Sequence, residues 1–139
     1  MEIKSEDIFI KTTGETDVID ITSKVKRFVV ESGISNGIAV LFVPGSTAAL
    51  TTIEFESGAV NDLKRAIEGM APRDIYYEHN ERWGDGNGYA HVRAAILGPS
   101  LHIPLTDGKL TLGTWQQIVL LDFDNQPRQR QVIIQLMGE

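Results

Sequence analysis

Two of the three histidines in this sequence, His79 and His91, flank a glycine-rich stretch, 82–88 (RWGDGNG), that also carries Asp85 and Asn87. Glu78 and Glu81 stand just upstream. Imidazole is the side chain that changes charge between about pH 5 and 8. Two imidazoles beside a carboxylate can ligate a divalent ion, or pass protons near neutrality. The spacing matches no standard metal signature. A polar surface loop has the same composition, although loops do concentrate function.

A second candidate is Pro44-Gly45-Ser46-Thr47-Ala48-Ala49, which follows the most apolar run of the chain. Glycine lets a ligand approach the backbone, and Ser46 and Thr47 offer hydroxyls and amides suited to an anion. An ordinary bend reads the same way. Glu54 lies seven residues past Thr47, either on an exposed face or in a site. In Leu112-Gly113-Thr114-Trp115-Gln116-Gln117, a strand would put Thr114 and Gln116 on one hydrogen-bonding face, with Trp115 in the core. Arg128 and Arg130 follow a turn. Arginine binds phosphate or carboxylate in a planar, bidentate way, but arginines beside hairpins are usually solvated. His102 alternates with apolar neighbours and reads as a solvent- or interface-facing strand residue. Trp83 reads as a packing residue.

These groups need a scaffold. The chain has 139 residues, 42% of them apolar, enough for one domain with a real core. It has no cysteine, which removes disulfides, cysteine nucleophiles and iron–sulfur clusters. Its net charge of −6 argues against a nucleic-acid partner. No apolar run approaches the ~20 residues of a membrane span. The N-terminal residues lack a secretory pattern, so the expected location is the cytoplasm.

Period-2 patterning predicts strands near 3–11 and 18–22, and the run 37–43 (GIAVLFV) predicts a buried central strand. Residues 49–54 resume an extended pattern. A helix capped by Thr22 or Ser23 should stop at Gly33, and a second, capped by Ser57, should stop at Pro72. Residues 75–77 suggest a short strand, 82–88 a loop and 90–97 a short helix. Thr106-Asp107-Gly108-Lys109 is a hairpin turn. Strands at 115–123 and 131–137 predict a second hairpin. Strands and helices do not alternate regularly, so the expected class is α+β, with mixed or antiparallel sheets and two to three helices in a single domain, 1–139.

Taken together, the segments 46–51 with Glu54, His79, 85–91 (DGNGYAH), 97–100, 103–104, 108–110 and 113–116 (GTWQ) resemble the YjbQ-like family, often described as secondary thiamine-phosphate synthases. The resemblance runs from about residue 8 to the end. It implies a compact α+β fold assembled as a homotrimer. It also implies a transferase joining a hydroxymethylpyrimidine diphosphate to a thiazole phosphate, as its main or a side activity. His91, Glu54 and Gln116 would be catalytic. Ser46, Thr47, Asn87, Thr114 and Arg130 would bind the phosphorylated molecule, with Lys109 as a further phosphate contact. His79, Asp85 and His91 would hold a divalent metal, Mg or Zn. In two places the chain departs from the family's usual pattern: Gly45 stands where a histidine is common, and Ile53 where an asparagine is common. Loss of the histidine favours the alternative, a non-catalytic trimer that binds a small phosphorylated or metal-bound ligand.

Overall fold

A computed structural model describes residues 1–139. In chain order the elements are β1 (Glu2–Lys11), β2 (Asp17–Asp20), α1 (Thr22–Ser32), β3 (Gly37–Phe42), β4 (Ala48–Ile53), α2 (Ser57–Met70), α3 (Glu78–Trp83), α4 (Gly88–Leu97), β5 (Ser100–Thr106), β6 (Lys109–Leu110), β7 (Gln117–Asp122) and β8 (Gln129–Gly138). Every strand pair is antiparallel, so no mixed sheet forms. One sheet has the order β1-β8-β3-β5-β6, and a second has β2-β7-β4.

The layers follow from which faces are apolar. The inner face of the five-stranded sheet (Ala39, Leu41, Ile103, Leu105, Val132, Ile134, Leu136) packs on one face of the three-stranded sheet and on Val25, Phe28 and Val29 of α1. The opposite face of the small sheet (Ala49, Val119, Leu121) packs under Ile67 of α2 and Tyr89, Ala90 and Ala94 of α4. β7 is therefore covered on both sides, and Ile118–Leu121 are fully buried. Each such side chain contributes about 1.5–3 kcal/mol. The predicted central strand, β3, is the middle strand of the five-stranded sheet, but it is buried on one face only. Its outward residues Ile38 and Val40 are half-buried and Phe42 is exposed, because no helix covers the outer face of its sheet.

Several expectations are corrected. Four helices form, not two or three. Glu78–Trp83 is helical, and no strand forms at 75–77. The caps are acidic: the Asp20 carboxylate accepts from the Thr22 N–H (2.9 Å), and the Glu56 carboxylate accepts from the Gly58 and Ala59 N–H groups (2.7 Å each). β7 and β8 are not a hairpin, since they lie in different sheets. The hairpin at β5–β6 forms as predicted, with Asp107 (φ 52°) and Gly108 (φ 75°) in the left-handed region that a type I′ turn requires.

Candidate functional site

Two connections pass from one sheet to the other at the same corner of the sandwich. Residues 43–47 lead from β3 to β4, and 123–128 lead from β7 to β8. They are stitched together by the Phe123 N–H, which donates to the Thr47 carbonyl (3.0 Å). The loop between α3 and α4 closes over this corner. Gly84 ends α3 in the left-handed conformation, and the Asn125 side chain donates to the Asp85 carbonyl (2.9 Å). Gly88 is required for close approach, because a Cβ there would stand 2.5 Å from Cβ of Tyr77.

The result is an open cleft of about 380 Å³, whose walls include Gly45, Ser46, Thr47, His79, Asp85, Asn87, His91, Asp124, Arg128 and Arg130. Seven residues proposed from the sequence, up to 84 positions apart, thus meet in one place. Trp83 lines the mouth with most of its surface exposed, rather than packing.

The floor is a buried ion-pair network. Arg130 Nε and Nη2 donate to the two oxygens of Asp122 (2.7 and 3.0 Å), and Nη2 also donates to the Thr47 hydroxyl (2.6 Å). Thr47 in turn donates to Asp124 (3.0 Å), which also accepts from Arg128 Nε (3.1 Å). Burial pushes the Asp124 carboxyl up, but the Asn125 amide, Thr47 and Arg128 outweigh it and hold the group below its usual range. The sequence singles out Arg128 and Arg130, with a solvated reading beside the binding one, but not Asp122 and Asp124, the carboxylates that hold them. The available signal was two aspartates bracketing Phe123 at the end of an apolar strand.

Three of the five Arg130 N–H groups are used in this way. Nη1 makes no hydrogen bond within the chain and faces Gly45, where a Cβ would stand 3.2 Å from it. The missing side chain at position 45 therefore leaves one edge of a fixed guanidinium open to the cleft.

Above this floor the His79 and His91 rings lie 4.2 Å apart. His79 Nε2 is 3.5 Å from Asp85 Oδ1. With its amide nitrogen turned inward, Asn87 donates to His79 Nε2 (3.1 Å) and to both Asp85 oxygens (2.9 and 3.2 Å). Turned the other way, it donates to Asp124 at 3.4 Å and sets its oxygen 3.1 Å from His79 Nε2. The inward orientation satisfies more partners and makes His79 Nε2 an acceptor. Burial, and the second imidazole beside it, push the His91 pKa down, against the pull of Asp85 and Asp124. Both effects favour the neutral form of the His91 imidazole.

The expected metal set, His79, Asp85 and His91, does come together, but no three imidazole or carboxylate groups are placed to ligate one ion. The Asn87 amide occupies the lone pair of His79 Nε2 that a metal would need. As arranged, these residues do not fit a divalent ion.

Glu54, Thr114 and Gln116 lie elsewhere. β4 carries Thr47 and Glu54 past its opposite ends. Glu54 lines a separate exposed hollow with Asp20, Glu56 and Trp115. Residues 113–116 form a turn before β7 rather than its first residues. Gln116 accepts from the Gly113 N–H (3.0 Å) and donates to Thr52 (3.0 Å). Thr114 and Trp115 are exposed, so Trp115 is not core and no hydrogen-bonding wall forms. Lys109 lies beside Lys26, Val29 and Val30, in another groove.

Residues 6–139 match the family model described as UPF0047 protein YjbQ-like. The chain is 37% identical over 139 residues to a UPF0047 protein of Methanothermobacter thermautotrophicus, covering 100% of this chain and 95% of the relative. It is 38% identical over 131 residues to UPF0047 protein YugU of Bacillus subtilis, covering 93% and 96%. A crystal structure of a YbjQ-like protein of unknown function from Sulfolobus solfataricus superposes with a TM-score of 0.95 at 35% identity, covering 99% of both chains. These findings confirm the α+β fold in one domain. They overturn the thiamine-phosphate synthase reading: none of these relatives is named for that activity or for any transferase, and the structural neighbour is described as of unknown function. No helix is long and apolar enough to cross a membrane.

Proposed function

The chain belongs to the UPF0047 YjbQ-like family, and from the chemistry of its cleft we propose that it binds a small phosphorylated molecule on Arg130 and exchanges a proton with it through His91. The observation that carries this is the Nη1 edge of Arg130, held rigidly by Asp122 and Thr47 and open to the cleft beside an imidazole pair. A guanidinium already oriented loses little freedom when it meets an oxyanion. The Ser46 hydroxyl lines the same wall. His91, partly desolvated and with its neutral form favoured, can accept a proton, and Asn87 fixes the His79 ring beside it. No step is routed through a metal.

Calorimetry with inorganic phosphate tests this. An anion in the cleft raises the His91 pKa, so binding should take up protons as pH falls toward the ordinary imidazole range, giving an enthalpy that changes with the buffer's ionisation heat. His91→Gln should abolish that uptake, and Gly45→Ala, which puts a methyl group against Nη1, should weaken binding at least tenfold. Phosphate that fails to bind, or binds equally well to Gly45→Ala, sinks the reading.

Assembly as a homotrimer belongs to the same proposal. Its support is the uncovered outer face of the large sheet, where Phe9 and Phe42 are exposed beside half-buried Ile38, Val40, Ile133 and Met137.

A further inference from the structure

Beyond Gly45 the cleft adjoins a second hollow of about 220 Å³. Gly45, Ser46 and His91 line both spaces. The residues that belong to the second alone are Ala48, Ala94, Ala95 and Pro99, all small and uncharged. The two spaces are thus opposite in character: one is walled by His, Asp, Asn and Arg, the other by methyl groups and a proline ring.

The elements explain the division. His91, Ala94 and Ala95 stand at i, i+3 and i+4 of α4, so they share one face of the helix. The imidazole lies one turn before the two methyl groups. Across from them, 45–48 enters β4 without a large side chain. At position 45 there is none at all, and any side chain there would stand against Arg130 Nη1, between the guanidinium and the hollow.

We infer that the second hollow is an apolar subsite, taking the uncharged organic part of the same ligand whose phosphate lies on Arg130, so that the ligand class is a phosphomonoester with a small apolar group. This rests on the reading of the cleft as a phosphate site. His91 then stands at the junction of the two spaces, where its imidazole can hydrogen-bond a phosphate oxygen.

Calorimetry with methyl, ethyl and n-butyl phosphate tests the inference. Each methylene removed from water should tighten binding about fourfold, so n-butyl phosphate should bind wild-type protein at least tenfold tighter than methyl phosphate. Ala95 is exposed on a helix, and leucine is almost as good a helix former as alanine. Ala95→Leu should fill the hollow and bring the butyl-to-methyl ratio to about one. Equal affinities in the wild-type protein overturn the subsite, as does a ratio that survives Ala95→Leu. If methyl phosphate binds and butyl gains nothing, only the subsite falls. If no phosphate binds, inorganic phosphate included, the reading of the cleft falls with it.

Discussion

Arg130 is tied at once to the fold and to the site. Its pairing with Asp122 is bidentate and buried, so removing one partner leaves a charge in a dry place. Asp122→Ala should cost about 3–5 kcal/mol in urea unfolding. By contrast, Asp62→Ala, which breaks the exposed Asp62–Arg65 pair, should cost less than about 1 kcal/mol. Equal costs would show that Asp122 does not hold the corner. His91 adds a pH dependence of known sign. Its folded pKa is lowered, so below the ordinary imidazole range of about 6.5 the unfolded chain binds more protons. That part of the stability is lost as pH falls through the ordinary value toward the folded one. At this scale the sequence was informative about types. Histidines around a glycine loop, and Ser46-Thr47 after Gly45, marked the cleft correctly. It could not reveal Asp122 and Asp124. A polar residue at a strand end looks the same whether it meets water or a guanidinium 8 positions away in the chain.

Among the elements, the helices show how local chemistry reads. α2 is capped by Glu56 rather than by the neighbouring serine, because the longer side chain reaches two backbone N–H groups. Those bonds lower the Glu56 pKa. A depressed carboxyl stabilises the fold above its unfolded pKa, and that stabilisation is lost as pH falls through the folded value. Thermal melts at pH 7 and pH 3 should therefore show a larger acid-induced drop in Tm for the wild-type protein than for Glu56→Gln. Identical drops would show that the cap is not formed. α3 was not legible because Glu-His-Asn-Glu-Arg-Trp has no apolar stripe; its order comes from the Asn80 side chain, which accepts from the Gly88 N–H (2.8 Å). The aromatic triplet 75–77 carries strand-forming residues but finds no partner strand, and Tyr77 instead donates its hydroxyl to the Pro72 carbonyl (2.6 Å).

For the molecule as a whole, patterning gave strands but not their sheets. Period 2 marks an apolar face without saying which layer it meets, so β7 and β8 looked like a hairpin when the chain actually changes sheets between them. GIAVLFV is the middle strand of the large sheet, as its pattern predicts, but it is not buried on both faces. A continuous apolar run suits a strand covered on both faces, and here one of those faces is the bare outer side of the large sheet. That face carries the assembly prediction. Light scattering after size exclusion should give three times the 15.4 kDa chain mass, and Phe42→Asp should shift the protein toward monomer while leaving its circular dichroism unchanged. A monomeric wild-type protein would remove the homotrimer.

The pairing of β1 with β8 joins the two ends of the described chain, with Glu2 opposite Gly138 and Gln135 bonded to Ser5 across 130 positions. During synthesis, β1 leaves the ribosome more than a hundred residues before β8. Until β8 follows, it is an unpaired edge with Ile8, Phe9 and Ile10 ready to meet another chain. Glu2, Lys4, Glu6, Asp7 and Lys11 stand along the same strand. Charges at such intervals discourage edge-to-edge pairing of waiting strands; in the finished sheet two of them take partners of their own, Lys4 donating to the Ser32 carbonyl (2.6 Å) and Asp7 accepting from Gln131 (2.9 Å).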